Sequence, residues 1–265
     1  MTYLQARLDL LRRTQNPDGG WGYLPGKQSW LEPSVYACLC LHGEPAAERA
    51  WEYIASLQNP DGSWRPAQEV RTSTWATALS VTLAVARKDR GRAIEAGAAW
   101  LLEAQGADPM TYRLSGQQVT KGWSWTLNSL SSAEPTAHAM VALKKASGYT
   151  NLPSIGPRNL AERLKSAEMR LLANKREAAG FVLLGLQERE GVDEWVESAA
   201  AQVAERQTPS LTRAWLRVAL RLRGEKLGAA PASSSNDLML SAVEALGDEK
   251  GNYGLLRSSG GGGQA

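Results

Sequence analysis

The sequence predicts an all-α protein, a closed ring of five to six helical hairpins in which inner and outer helices alternate. Three observations carry that prediction. A turn motif recurs in tandem: Gln15-Asn16-Pro17-Asp18-Gly19-Gly20-Trp21 and Gln58-Asn59-Pro60-Asp61-Gly62-Ser63-Trp64 lie 43 residues apart, and a looser copy runs from Gln105 to Gly122-Trp123-Ser124-Trp125. Between these marks apolar residues fall at helical spacing. No segment sustains the period-2 alternation of a half-buried strand. Hairpins of about 43 residues fill the chain with no separate capping repeats, and this favours closure into a ring over an open solenoid.

The elements follow in order. Met1 to Arg13 is an amphipathic pattern studded with arginines. Asn-Pro-Asp-Gly is turn chemistry, since Pro presets one dihedral and Gly supplies a reversal. Eleven residues past Trp21, Glu32-Pro33-Ser34 opens an inner helix, with Pro33 in the first turn where a missing N–H costs nothing. Ala46 to Leu57 is an outer helix carrying Trp51, Ile54 and Leu57. In the middle copy Ser73-Thr74 takes the place of Glu-Pro-Ser, after a slightly shorter loop. Gly91 to Gln105 is the next outer helix, with Ile94, Ala98, Leu101 and Leu102 on one face. Glu134-Pro135-Thr136 again lies eleven residues past a tryptophan, Trp123.

The second half keeps the helices without the marks. Helices are expected near Pro157 to Leu172, Lys175 to Arg189, Val192 to Arg206, Ser210 to Arg223 and Asn236 to Leu246. Ala178 to Leu186 and Leu211 to Leu222 are apolar over more than one face, as for helices packed on two sides. Gly228 to Ser235 reads as a small loop. One domain spans 1–257, its repeats clearest in 1–147, and the glycine-rich 258–265 reads as a flexible tail.

Composition narrows the class. The chain has 265 residues, 43% hydrophobic and 22% charged, which excludes disorder as the main state. A net charge of +3 is too balanced to argue for nucleic acid. No apolar run reaches membrane-spanning length, and no secretory apolar segment opens the chain, so a cytoplasmic protein is expected. The Arg- and Ala-rich composition correlates with bacterial origin. The two cysteines, Cys38 and Cys40, cannot build a disulfide framework.

The repeat resembles the QW repeat of squalene–hopene and oxidosqualene cyclases. That repeat runs from a basic residue, a small residue and an aromatic through an aliphatic run to Gln and Gly-x-Trp. Here Arg49-Ala50-Trp51-Glu52-Tyr53-Ile54 leads to Gln58 and Gly62-Ser63-Trp64; Arg12-Arg13 through Trp21 and Trp100 to Gln105 are partial copies. The wider group, which includes protein prenyltransferase β subunits, implies an α/α toroid that holds ligand at the N-terminal ends of its inner helices. The motif residues Gln15, Gln58, Trp21 and Trp64 are first of all structural: the amide is suited to bridge an outer helix to neighbouring inner-helix backbone, and the indole to cover the turn.

The catalytic marks of that group are absent. The sequence has no Asp-x-Asp-Asp acid, no Asp-Asp-x-x-Asp diphosphate motif and no Asp-x-Cys of a prenyltransferase zinc site. Lanthipeptide cyclases, another toroid group, use two Cys and a His. Cys38 and His42 share a helix face, but Cys40 points about 200° away from Cys38, so no metal site is expected. Both cysteines read as small core residues.

Candidate site residues gather instead at the starts of three inner helices: Trp30, Glu32, Tyr36, Thr74, Trp75, Trp125, Glu134 and His138. Glu32 and Glu134 hold equivalent repeat positions and would face one cavity of a ring, as an acid–base pair if their surroundings differ. The competing reading is a repeated first-turn acid favourable with the helix dipole. His138, four residues past Glu134, would orient or shuttle protons with it, or form a surface pair. Trp30, Tyr36, Thr74, Trp75 and Trp125 would line an aromatic mouth, where indole faces favour cations by about 0.5–2 kcal/mol each. Arg213, Arg217 and Arg221 form a stripe that fits a phosphate site or, preferably, a solvated face.

Two functions are therefore expected. One is a cyclase- or isomerase-like enzyme acting on an isoprenoid or similar apolar small molecule, with Glu134 and Glu32 as acid and base. The other is a non-catalytic ligand- or partner-binding scaffold. Neither requires a cofactor or nucleic acid. Because full triterpene cyclases carry two helical domains, a homodimer or partner chain is one way to close the pocket.

Overall fold

The Asn-Pro-Asp-Gly turns form as their chemistry dictates. In the computed structural model, which describes residues 2–73, 75–89, 92–104, 120–149, 157–205, 207–230 and 235–258, Asn16 and Asn59 each exchange backbone hydrogen bonds across the turn. Gly19 (φ +88°) and Gly62 (φ +89°) reverse the chain, in a region that L side chains rarely enter. They also let each turn lie flat on the next outer helix. A Cβ on Gly19 would fall 2.4 Å from the Arg49 carbonyl oxygen, and one on Gly62 would fall 2.5 Å from Ala96 backbone.

Eleven α-helices occur among the described residues, and no strand ladder does. They are α1 (Tyr3–Thr14), α2 (Leu31–Cys40), α3 (Pro45–Ser56), α4 (Ala76–Ala86), α5 (Arg92–Glu103), α6 (Ala133–Tyr149), α7 (Pro157–Leu172), α8 (Ala179–Gly185), α9 (Asp193–Ala204), α10 (Ser210–Leu222) and α11 (Leu238–Leu246). A 3-10 turn, Arg176–Ala178, leads into α8, and another, Asn252–Leu256, follows α11. Helices α2, α4 and α11 are buried along nearly their whole length, the mark of elements covered on both sides.

The packing order explains that burial. Helix α2 packs on α4, α4 on α6, α6 on α8, α8 on α10, α10 on α11, and α11 on α2. Outside them, α3 lies on α2, α5 on α4 and α6, α7 on α6 and α8, α9 on α8 and α10, and α1 on α11. The first and last helices are tied by Arg7, whose Nε sits 3.1 Å from Glu244 Oε2 and whose Nη1 donates to the Ser235 carbonyl and Ser241 hydroxyl. Both charged side chains are about nine-tenths buried, so removing either partner would leave an uncompensated charge inside.

The repeat tryptophans act as clamps. Indole Nε1 of Trp21, Trp64 and Trp123 donates to the carbonyls of Leu11, Ile54 and Leu101, near the ends of the preceding outer helices. Their backbone amides donate to the hydroxyls of Ser34, Thr77 and Thr136, each thirteen residues on. Gln15 and Gln58 behave differently from expectation. Each amide donates to its own turn and to Ala46 or Ala93, residues in the first turn of the next outer helix rather than an inner one. The outer helices α1, α3 and α5 are thus linked in series.

The carbonyl ends of the inner helices are closed by one segment, residues 251–258. Asn252 Nδ2 donates to the carbonyls of Leu39 and Cys40, ending α2. Arg257 donates to Leu222 at the end of α10, and its own carbonyl accepts from Lys145 of α6. Gln187, just past α8, donates to Leu256 and accepts from the Ser258 amide. Ser258 is 2% exposed, so it belongs to the packed body rather than to the expected tail; residues 259–265 lie outside the described residues.

Candidate functional site

The clamps place the candidate acids. With Trp21 tied to Ser34 and Trp123 to Thr136, Glu32 and Glu134 occupy the same position in the first turns of α2 and α6. In the middle copy the clamped hydroxyl is Thr77, so the matching residue is Trp75, not Ser73 or Thr74. The loop is no shorter there; a Trp-Ala-Thr start replaces Glu-Pro-Ser and hides the register. Thr74 itself lies outside the described residues.

The two carboxyls share an electrostatic neighbourhood. Burial and the charge of Glu32 push the Glu134 carboxyl up to about 8. Burial also raises Glu32, with Asp237 adding to it, while a hydrogen bond from the Tyr23 hydroxyl (2.7 Å to Oε2) opposes the rise. The Tyr23 bond favours the ionised form of Glu32 and partly offsets its burial, whereas Glu134, pushed up to about 8, keeps its proton at neutral pH. Asp237 caps α11 by accepting from Leu240 N at 2.9 Å, and the neighbouring amide of Leu238 donates to the Tyr23 carbonyl. Three inner-helix starts therefore meet at one mouth: those of α2, α6 and α11.

Beneath the carboxyls is an aromatic cluster. Tyr36, one turn inside Glu32, and His138, one turn inside Glu134, are fully buried and meet through Tyr36 Oη and His138 Nε2 at 3.4 Å. Around His138 lie Trp75 at 5.6 Å, Trp215 at 5.3 Å and Phe181 at 6.2 Å between ring centroids. Trp75 also meets Trp125 edge-on at 4.9 Å. Exposure grades outward: Trp215 is buried, Trp75 and Phe181 are half-buried, and Trp125 is 42% exposed. Burial drives the His138 imidazole down to about 3, so it is neutral throughout the physiological range. It is buried rather than a surface partner of Glu134, and its Nε2 meets the Tyr36 hydroxyl.

The other expectations divide. Trp30 is half-buried and pairs with Tyr23 at 6.1 Å, which puts it beside Glu32. Cys38 and Cys40 are core residues, their thiols directed at the carbonyls of Ala47 and Ala242; burial pushes Cys38 up to about 12 and raises Cys40 further. No cluster of three or more His, Cys, Asp or Glu among the described residues is placed to hold a metal ion. The arginine stripe is not a solvated face: Arg217 is 6% and Arg221 9% exposed, and they donate to the carbonyls of Gly228 and Leu227. Tyr23, Asp237, Phe181 and Trp215 escaped the sequence reading. Only Asp237, an acid just before a helical run, carries a readable cue, that of an N-cap.

No helix among the described residues is long and apolar enough to cross a membrane. The chain matches no protein-family model and no curated protein.

Proposed function

We propose that the protein is an α/α toroid of the QW-repeat kind, and that its mouth binds an isoprenoid-like apolar substrate and protonates it from Glu134. The unbroken order of inner-helix contacts, returning from α11 to α2, supports the toroid. The observation that carries the functional reading is the pairing of Glu134 with Glu32 at the N-terminal end of the inner helices, above half-buried Trp75 and Phe181. A carboxylic acid that keeps its proton at neutral pH, beside a carboxyl whose ionised form takes a hydrogen bond from Tyr23, would serve as donor and acceptor. The indole faces of Trp75 and Trp125 would offset positive charge developing on an apolar substrate.

A second reading is favoured by a specific observation. Tyr36, His138 and Trp215 pack ring against ring under the mouth, which makes the centre of the bundle a filled core. In that reading the mouth is a shallow binding surface for an apolar ligand or partner, with no chemistry. Incubation with squalene and a ladder of prenyl diphosphates, followed by gas chromatography–mass spectrometry, separates the two. A cyclic or rearranged product that disappears in Glu134→Gln supports the enzyme. Product that survives in Glu134→Gln removes that residue from the acid role. Substrate recovered unchanged, with tryptophan fluorescence still quenched on mixing, supports the binding surface.

A further inference from the structure

A second, separate feature lies on the outside of the bundle, beside the start of α1 and one face of α10. Between residues 227–230, the start of α1 and residues 248–250 is a cavity of about 250 Å³. Its lining is unusually rich in donors. Arg217 and Arg221, one turn apart on α10, both reach it, together with Lys250 and the first residues of α1, Thr2 to Leu4.

Three independent facts give this cavity a positive character. First, both arginines are more than nine-tenths buried, yet neither forms an ion pair among the described residues. Each donates one bond to a loop carbonyl, to Gly228 at 2.6 Å and Leu227 at 3.2 Å, and the Nε of each is buried without an acceptor. A buried charge whose hydrogen bonds go only to neutral carbonyls is costly unless opposite charge close by completes it. Second, helix α1 presents its N-terminal end to the same space and carries no acid in its first turn, so its dipole adds to the arginines. Third, the covering stretch has no acidic side chain from Lys226 to Asn236.

The opposing charges are Asp248 and Glu249, which also line the cavity. Asp248 draws on Arg217 and its Oδ1 accepts from the Lys250 amide, while Arg221 repels Arg217. Three cations and a helix N-terminus against two carboxylates leave room for one more negative group. Tetrahedral oxyanions match guanidinium geometry and the free amides of a first helical turn.

We propose that this cavity is an anion site that takes a phosphate group, free or carried as a small monoester. The site is independent of the Glu134 mouth, and bound phosphate would pin residues 227–230 to α1 and α10.

Isothermal titration of the full chain with inorganic phosphate and with glycerol 3-phosphate, at constant ionic strength, tests it. Saturable binding is expected, weakened about tenfold in Arg221→Gln and in Lys250→Gln, the loss of one charge-assisted contact. Asp248→Asn keeps the acceptor for the Lys250 amide and removes a repelling charge, so it should bind phosphate more tightly. Tighter binding of glycerol 3-phosphate assigns a monoester; equal binding assigns free phosphate. Exposed Lys250 can be replaced without touching the core, so a failure of Arg221→Gln to fold leaves the test intact. Phosphate heats no larger than those of chloride would overturn the proposal, as would unchanged affinity in Lys250→Gln with weaker binding in Asp248→Asn.

Discussion

From Tyr3 to Tyr149 the hairpins are closed by what lies next to them in sequence. Each tryptophan ties the end of one outer helix to the start of an inner helix, ten to twenty-two residues behind it and thirteen ahead. From Pro157 onward the same job is done from far away. The ends of α8 and α10 are held by Gln187, Arg223 and Arg257, and the tail segment reaches back to α2 through Asn252, more than 200 residues distant. The difference teaches that helix-pair packing does not need the repeat motif. What the motif adds is register, and register is what puts Glu32 and Glu134 side by side.

The comparison can be broken at its strongest point first. Gly62→Ala combines a disfavoured φ with a backbone clash against α5, so a loss of about 3–5 kcal/mol is expected, more than for any single contact in the second half. Urea denaturation measures it; a loss under about 1 kcal/mol would show that the turns yield and that local closure is not rigid. Next comes the consequence of register. Glu134 has a folded pKa of about 8 against an ordinary 4.5, so folding favours its protonated form. Its contribution is fully present below about 4.5 and is lost as pH rises through about 8. Glu134→Gln should therefore raise stability at pH 8 by roughly 2–3 kcal/mol, allowing for screening of a half-buried group, and flatten the pH slope between 4.5 and 8. A slope that survives the substitution would mean that Glu134 is not the group that burial and Glu32 push up.

A smaller effect probes the distant ties. Asn252→Ala leaves the Leu39 and Cys40 carbonyls without their donor, at a cost of about 1–2 kcal/mol. Loss of that size at residue 252, with amide exchange accelerated in both α2 and α11, would show that the seam between the halves carries stability; acceleration confined to the tail would show that it does not. The smallest expected signal is a zero. Cys38 faces α3 within the marked half and Cys40 faces α11 across the seam, and both should resist a thiol reagent in the native state. Under mild denaturant the order of labelling reports which side opens first, and Cys40 before Cys38 is expected.

Much of this was legible in the sequence, for local reasons. Asn-Pro-Asp-Gly, the proline at helix starts and the apolar spacing each act within a dozen residues, so α7 runs from Pro157 to Leu172 as read. The middle inner helix was misplaced by a few residues because Trp75-Ala76-Thr77 lacks the Glu-Pro landmark. Counting thirteen residues from each tryptophan to a hydroxyl would have found it. The candidate site was half legible: the repeat marks Glu32 and Glu134 at equivalent helix starts and His138 one turn inside, but Tyr23, Asp237, Phe181 and Trp215 reach it from elements with no shared motif. The arginine stripe misled because a charged helical face looks the same whether water or loop carbonyls cover it.

Arg7 and Glu244 join the first helix to the last, and that contact sets an order of events in time. On a ribosome α1 emerges early and must wait, with an apolar stripe and a committed guanidinium, until residues 238–258 have been made. The helix that packs against it, α11, is among the last parts of the packed body to appear. The contact of α1 with α11 therefore forms only after that helix has been made, with a long loop-closure cost. Until then α2 and α10 lack the helix that packs against both of them.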